Sequence, residues 1–193
     1  MKFLTKKFME HFSGTPVGVF SLFTDSFVQV RACGDNRYVL DNGVPVIEVA
    51  PFGYNNDVAL FHELGHFSAI DEHRLLKQNY GFPENNGKIQ KTSGYGDLLH
   101  EIKVIAFEWN LMQWFGYKPD NDKKTYPDWL IYAMPGTQNF VDALDIKSDD
   151  ELKTQIRRLF LEIVDTEEYA SMTTFIRRWE ARNDFLRTCL YPG

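Results

Sequence analysis

The sequence predicts an α+β fold, with a small N-terminal antiparallel sheet followed by a mostly helical body. Three observations carry that prediction. From Val17 to Pro51 the chain runs in β-branched and aromatic stretches, "VGVFSLF", "FVQVRAC" and "RYVLDNGVPVIEVAP", the composition of strands. Within the last of these, Asn42-Gly43 sits between two apolar runs, and both residue types accept the positive φ that a two-residue hairpin turn demands. Beyond Pro51 the apolar residues recur at helical spacing, interrupted by loops, as far as the C-terminus.

Taken in order, residues 3–12 read as a short helix and 17–51 as the sheet. Residues 56–69 have helical spacing, with Asn56 or Asp57 as the cap and Val58, Leu60, Phe61, Leu64 and Phe67 as apolar faces. A short helix over 71–79 follows. Residues 81–96, "GFPENNGKIQKTSGYG", hold four glycines, a proline and two asparagines, so they read as a long loop of the kind that tends to serve function. Asp97 is placed to cap a long helix, "DLLHEIKVIAFEWNLMQWF", that Gly116 ends near Phe115. After the loop around "KPDNDKKTYPD", helices are expected at 128–134, 137–145, 149–164 and 167–188. The division this suggests is a core over 1–118 and a helical extension over 119–193 packed on the same domain. The stretch "WLIYAMPGTQNFV" reads as packed core. No internal repeat or low-complexity segment interrupts the chain.

At 193 residues the chain is long enough to bury a substantial core. Its 44% apolar and 25% charged content is that of an ordinary globular domain. A net charge of −6 argues against a nucleic-acid-coating surface. Arg157-Arg158, Arg177-Arg178 and Arg182 lie among comparable numbers of carboxylates, so they read as solvated helix faces with intrahelical ion pairs. Cys33 and Cys189 lie near opposite ends and make no disulfide framework, which points to a reducing compartment. Lys6, Lys7 and Glu10 interrupt the N-terminal apolar residues before signal-peptide length. No run approaches the roughly 18 apolar residues of a membrane span. The expected location is the cytoplasm.

The chemistry concentrates in "VALFHELGHFSA", Val58 to Ala69. On a helix His62 and His66, at i and i+4, share a face and reach one ion. Glu63 is turned about 100° from His62, which suits a base beside the ion rather than a ligand. This is the HExxH pattern of zinc metallohydrolases. With 5 His and 12 Glu in the chain, shuffling would produce it about 0.01 times, so chance is a poor explanation. A catalytic zinc site needs a third protein ligand and an open position. The long helix offers His100, Glu101 and Glu108, and the two glutamates, seven residues apart, share a face. Either can ligate while the other orients a ligand histidine from behind. Tyr95, in "SGYGD", is a loop phenol positioned to donate to a tetrahedral oxyanion; His100 is an alternative donor. His73 and Arg74 read as rim residues.

The stretch "LFHELGHFS…HRL…GYGDLLHEIKVIAFEWNLMQWFG" resembles the zincin-like domain of ArdC-type antirestriction proteins and their phage and plasmid relatives. It is more distantly similar to the ImmA/IrrE metallopeptidases. The likeness covers about residues 38–117. It implies a zincin-like body, zinc held by His62, His66 and Glu101, and Glu63 as the catalytic carboxylate. The paired glutamates that start the family's second helix are His100-Glu101 here. The single-stranded-DNA-binding domain that precedes the zincin part in those proteins has no room in the first 50 residues, so nucleic acid is not an expected partner. The activity the resemblance implies is hydrolysis of a peptide bond in a protein or peptide substrate, with a host defence protein as one target of that kind. Strand "VPVIEVAP" is expected to pair with extended substrate by strand addition. The alternative is a catalytically silent metal-fold protein that acts as a binding inhibitor or decoy, its acidic charge suited to a basic host complex.

Overall fold

The computed structural model describes residues 17–18, 28–32, 37–49, 54–77, 80, 84–85, 88–89, 95–114, 122–123, 126 and 137–192. Among these the architecture is α+β, as the sequence implies. The sheet holds β1 (Val17–Gly18), β2 (Gln29–Ala32), β3 (Arg37–Asp41) and β4 (Val44–Val49) in the order β1-β2-β4-β3. The hairpin forms where Asn42-Gly43 predicts it. Asn42 has φ 52° and Gly43 φ 81°, and the strands close on the pair Asp41–Val44. Two positive φ values in a two-residue loop match the right-handed strand twist, so the turn sets the register.

Strand order departs from the sequence-based expectation in one respect. Strands β1–β2 and β3–β4 pair antiparallel, but β2 and β4 pair parallel, so the sheet is mixed. The local reason is β4 itself: Pro45, Val46, Ile47 and Glu48 are all buried, and a strand covered on both faces belongs in the interior of a sheet. Glu48, 1% exposed, is satisfied there by Nε of its cross-strand neighbour Arg37 at 2.5 Å. A consequence follows for substrate binding. Among the described residues β4 is flanked by β2 along Val46–Val49 and by β3 along Val44–Glu48, which leaves no long edge for the strand addition expected at "VPVIEVAP".

Helix α1 (Tyr54–Ala69) begins two residues before Asn56, which therefore lies in its first turn rather than at its cap. A five-residue 3-10 turn, Glu72–Leu76, replaces the expected helix over 71–79. The predicted loop over 81–96 contains a minimal hairpin, β5 (Glu84–Asn85) with β6 (Lys88–Ile89), and the start of the next helix. That helix, α2 (Tyr95–Trp114), takes in both Tyr95 and Asp97. An aspartate in the first turn is as favourable to the helix dipole as one at the cap, so composition does not fix the boundary.

Helix α2 is central. Ile102 and the run from Val104 to Glu108 are buried, with Lys103 exposed between them, and a helix covered round most of its circumference must be wrapped by others. Helix α1 packs on one side, with α4 (Asp149–Val164) and the short α5 (Glu167–Ala170) also against it. Helix α3 is Thr137–Leu144 and α6 is Met172–Leu190. The predicted single helix over 167–188 breaks at Ser171, whose hydroxyl accepts from the Thr174 amide at 3.3 Å and caps α6. Buried Leu152, Ile156, Phe160 and Val164 form the inner stripe of α4. Phe175 and Trp179 bring α6 onto Phe107 and Phe67 at ring separations of 5.5 and 4.4 Å. One hydrophobic cluster thus joins the metal-motif helix to the C-terminal helices. The expected helices at 3–12 and 128–134, the stop at Gly116 and Cys33 lie outside the described residues. Among the described residues no helix is long and apolar enough to cross a membrane.

Candidate metal centre

Gly65 explains how α1 and α2 come close enough to build a site. A Cβ there would lie 3.0 Å from the Val104 carbonyl oxygen and 3.2 Å from Val104 Cγ1. Only glycine lets the α2 backbone approach so near. Glu101, one turn before Val104 on α2, is thereby carried to the His62 and His66 face of α1.

Two imidazole nitrogens and the two oxygens of one carboxylate converge. His62 Nε2 and His66 Nε2 are 3.1 Å apart, Glu101 Oε2 is 3.5 Å from His62 Nε2, and Glu101 Oε1 is 3.4 Å from His66 Nε2. Ligands about 2.0–2.1 Å from a tetrahedral zinc ion stand about 3.3 Å from one another. All three separations lie close to that value. Among the described residues His62, His66 and Glu101 are the only such group of three or more metal-ligating side chains, and Glu63 is not in it.

Both histidines are held from behind. His62 Nδ1 donates to Glu108 Oε2 at 2.7 Å, which leaves the Nε2 lone pair for a metal. Glu108 is fully buried, and its other oxygen accepts from the Tyr126 hydroxyl. Burial and the hydrogen bond to His62 set it apart from a surface carboxylate, the commoner fate of a lone helix glutamate. His66 Nδ1 lies 3.1 Å from His100 Nε2. For His66 Nε2 to ligate, its proton must be on Nδ1, which makes His100 Nε2 the acceptor in neutral imidazole.

Electrostatics act on the two histidines in opposite directions. Burial, reinforced by the charges of His62, His100 and Arg74, holds the His66 pKa well below its usual value. Burial likewise pushes His100 down to about 3, with Arg74, His62 and Lys103 adding to the effect. Burial also disfavours charge on His62, but hydrogen bonds and charge from Glu101 and Glu108 outweigh it and raise its pKa. Glu63, 7% exposed, is pushed up to about 7, chiefly by burial.

Two tyrosines that the sequence reading did not single out, and one arginine that it placed on a solvated face, complete the surroundings. Tyr80, 2% exposed, stacks on the His66 ring at 5.1 Å, and its hydroxyl donates to the Glu63 carbonyl at 3.3 Å. Burial raises its pKa well above the usual value, so it stays a donor. Tyr126 was hidden in a loop read only as a connection. Arg182, grouped with solvated helix faces, is half-buried: Nε and Nη2 donate to the Ile70 carbonyl at 3.1 and 2.7 Å, beyond the end of α1. Arg158, 3.8 Å from Glu162 on the same helix, behaves as expected, whereas half-buried Arg178 pairs with Glu168 of the neighbouring α5 and lies over the Phe107 and Tyr169 rings. His73 is exposed, whereas Arg74 is half-buried and its Nε donates to the Tyr80 carbonyl at 2.7 Å. Tyr95 is the first residue of α2 rather than a loop residue. Its side chain lies outside the described residues. Comparison with protein-family models, curated proteins and solved structures gives no match.

Proposed function

We propose that the chain is a zinc-dependent peptidase, a member of the zincin-like group that the HELGH stretch resembles. The observation that carries this reading is the three-donor set of His62, His66 and Glu101 at tetrahedral spacing, with a buried carboxylate beside it that does not join the set. Three protein ligands leave a fourth position open, whereas a purely structural zinc normally takes four. A zinc ion held there polarises the scissile carbonyl and brings water toward deprotonation at neutral pH.

Glu63 then acts as general base. Its pKa near 7 suits proton exchange at neutral pH. It accepts a proton from the attacking water and returns it to the leaving amine, so the carboxylate ends as it began. Glu108 and His100 keep the two imidazoles in the ligating tautomer. Tyr95 is the candidate donor to the oxyanion. The substrate is a protein or extended peptide, and the setting is the cytoplasm, in keeping with the two well-separated cysteines.

The test is Glu63→Gln with zinc content measured beside cleavage of a pooled peptide library. The amide keeps size and hydrogen bonding but cannot take the proton. Activity falls by about 10²–10⁴-fold or more, while bound zinc is unchanged. Full activity in the variant refutes the assignment. No cleavage by zinc-loaded wild type shifts weight to the binding-inhibitor reading.

A further inference from the structure

Glu108 orients His62 only if its own carboxylate is held. The group is fully buried, and a carboxylate withdrawn from solvent is tolerated where hydrogen bonds replace its hydration. Oε2 accepts from His62 Nδ1 at 2.7 Å, and Oε1 accepts from the Tyr126 hydroxyl. The torsion that turns a terminal carboxylate is broad. A hydrogen bond at the far oxygen therefore fixes the plane in which the bond to His62 is made.

We propose that Tyr126 is a positioning residue for the metal centre: its hydroxyl fixes the Glu108 carboxylate, and through Glu108 it aims Nε2 of His62. The proposal rests on the metal-centre reading and extends it to a residue from a different part of the chain. At 3% exposure Tyr126 is closed off from solvent. It acts through Glu108.

The surroundings of Tyr126 place its oxygen. Its ring meets Trp109 of α2 at a centroid separation of 4.7 Å with 66° between planes. It lies 6.3 Å from Phe160 of α4, and Trp109 and Phe160 meet edge to face at 6.4 Å. The three rings form one cluster that bridges α2 and α4. Lys123, from the same segment, pairs with Asp165, the residue that ends α4. The phenol also lies 3.7 Å from Met112 Sδ, a weak acceptor that does not compete with a carboxylate oxygen for the proton. A relay from the α4 ring cluster through Tyr126 and Glu108 thus reaches a ligand on α1.

The test is a double-mutant cycle in which every variant keeps His62, His66 and Glu101. Zinc affinity is read by competition with a chelator, and stability by melting metal-free protein. Tyr126→Phe keeps the ring and removes one oxygen, which leaves Glu108 Oε1 without that donor and its carboxylate free to turn. Zinc binding weakens by about 10-fold, the lower end of the effect of removing an outer partner of a metal ligand. In a Glu108→Ala background Tyr126→Phe has no further effect, because the group it fixes is gone. A merely structural tyrosine would lower the metal-free melting temperature and leave zinc affinity alone, or weaken zinc equally with and without Glu108; either result overturns the proposal. If Glu108→Ala does not fold or holds no zinc, the His62 Nδ1 proton decides, observed by nitrogen-edited NMR of the zinc-loaded protein. Tyr126→Phe shifts that resonance, and a His62 resonance that stays in place overturns the assignment. Wild type that takes up no zinc removes the metal reading itself, and this proposal with it. Wild type that binds zinc alongside a Tyr126→Phe variant of equal affinity removes only the role of Tyr126.

Discussion

Gly65→Ala perturbs a close approach between the two helices that carry the proposed metal ligands. Taken alone, alanine is the better helix former by about 0.8–1.0 kcal/mol. Against that gain stands a new methyl group 3.0 Å from the Val104 carbonyl oxygen and 3.2 Å from Val104 Cγ1. The oxygen belongs to backbone, and a valine on a helix is held to one dominant rotamer, so neither neighbour turns aside cheaply. Overpacking of this kind costs about 1–3 kcal/mol. The net effect is a loss of up to about 2 kcal/mol, with α2 displaced by a few tenths of an ångström. Glu101 rides on the same turn of α2, so its separations of 3.4 and 3.5 Å from the histidine nitrogens increase. Metal–ligand distances tolerate only about ±0.2 Å, so zinc affinity falls as well. Chemical denaturation of metal-free protein, paired with chelator competition, reads both effects. A Gly65→Ala variant that is more stable than wild type and binds zinc equally well would refute the close-packing argument.

Two further predictions follow from the site. Glu101→Ala removes a ligand and abolishes tight zinc binding, whereas Glu108→Ala leaves the ligands in place and weakens it by about 10–100-fold; chelator competition on both variants checks the order. Zinc affinity also rises with pH around neutrality. The pKa of His62 is raised above its usual value, so metal-free protein carries a proton that zinc must displace. Affinity then climbs by about tenfold per pH unit for one displaced proton and levels off above the His62 pKa. Calorimetry in buffers of different ionisation enthalpy measures that released proton, and a pH-independent affinity contradicts it.

How much of this could be read in the sequence depends on how local each feature is. Asn42-Gly43 dictates its own turn, and the stripe Leu152, Ile156, Phe160 and Val164 marks α4 to the residue. His62, Glu63 and His66 are legible because a helix fixes their relative angles. The parallel pairing of β2 with β4 is a long-range choice that no dipeptide encodes. The break at Ser171 was missed because the apolar spacing continues across it, although Ser171 has the character of a cap. The role of Glu108 depends on burial, which follows from α2 being wrapped by α1, α4 and α5. Tyr80 and Tyr126 come from segments that carry no periodicity, and tertiary packing alone brings them to the histidines.

The central claim is that His62, His66 and Glu101 hold one metal ion together. The most direct measurement is the zinc content of protein purified without chelator, by elemental analysis, for wild type and for His66→Ala. The proposed function predicts about one zinc per chain in wild type, since the two imidazole nitrogens stand 3.1 Å apart and the Glu101 carboxylate reaches each of them, at 3.4 and 3.5 Å through its two oxygens. His66→Ala loses it. Wild-type protein that retains no zinc when zinc is supplied, or zinc that remains undiminished after His66→Ala, would contradict the account.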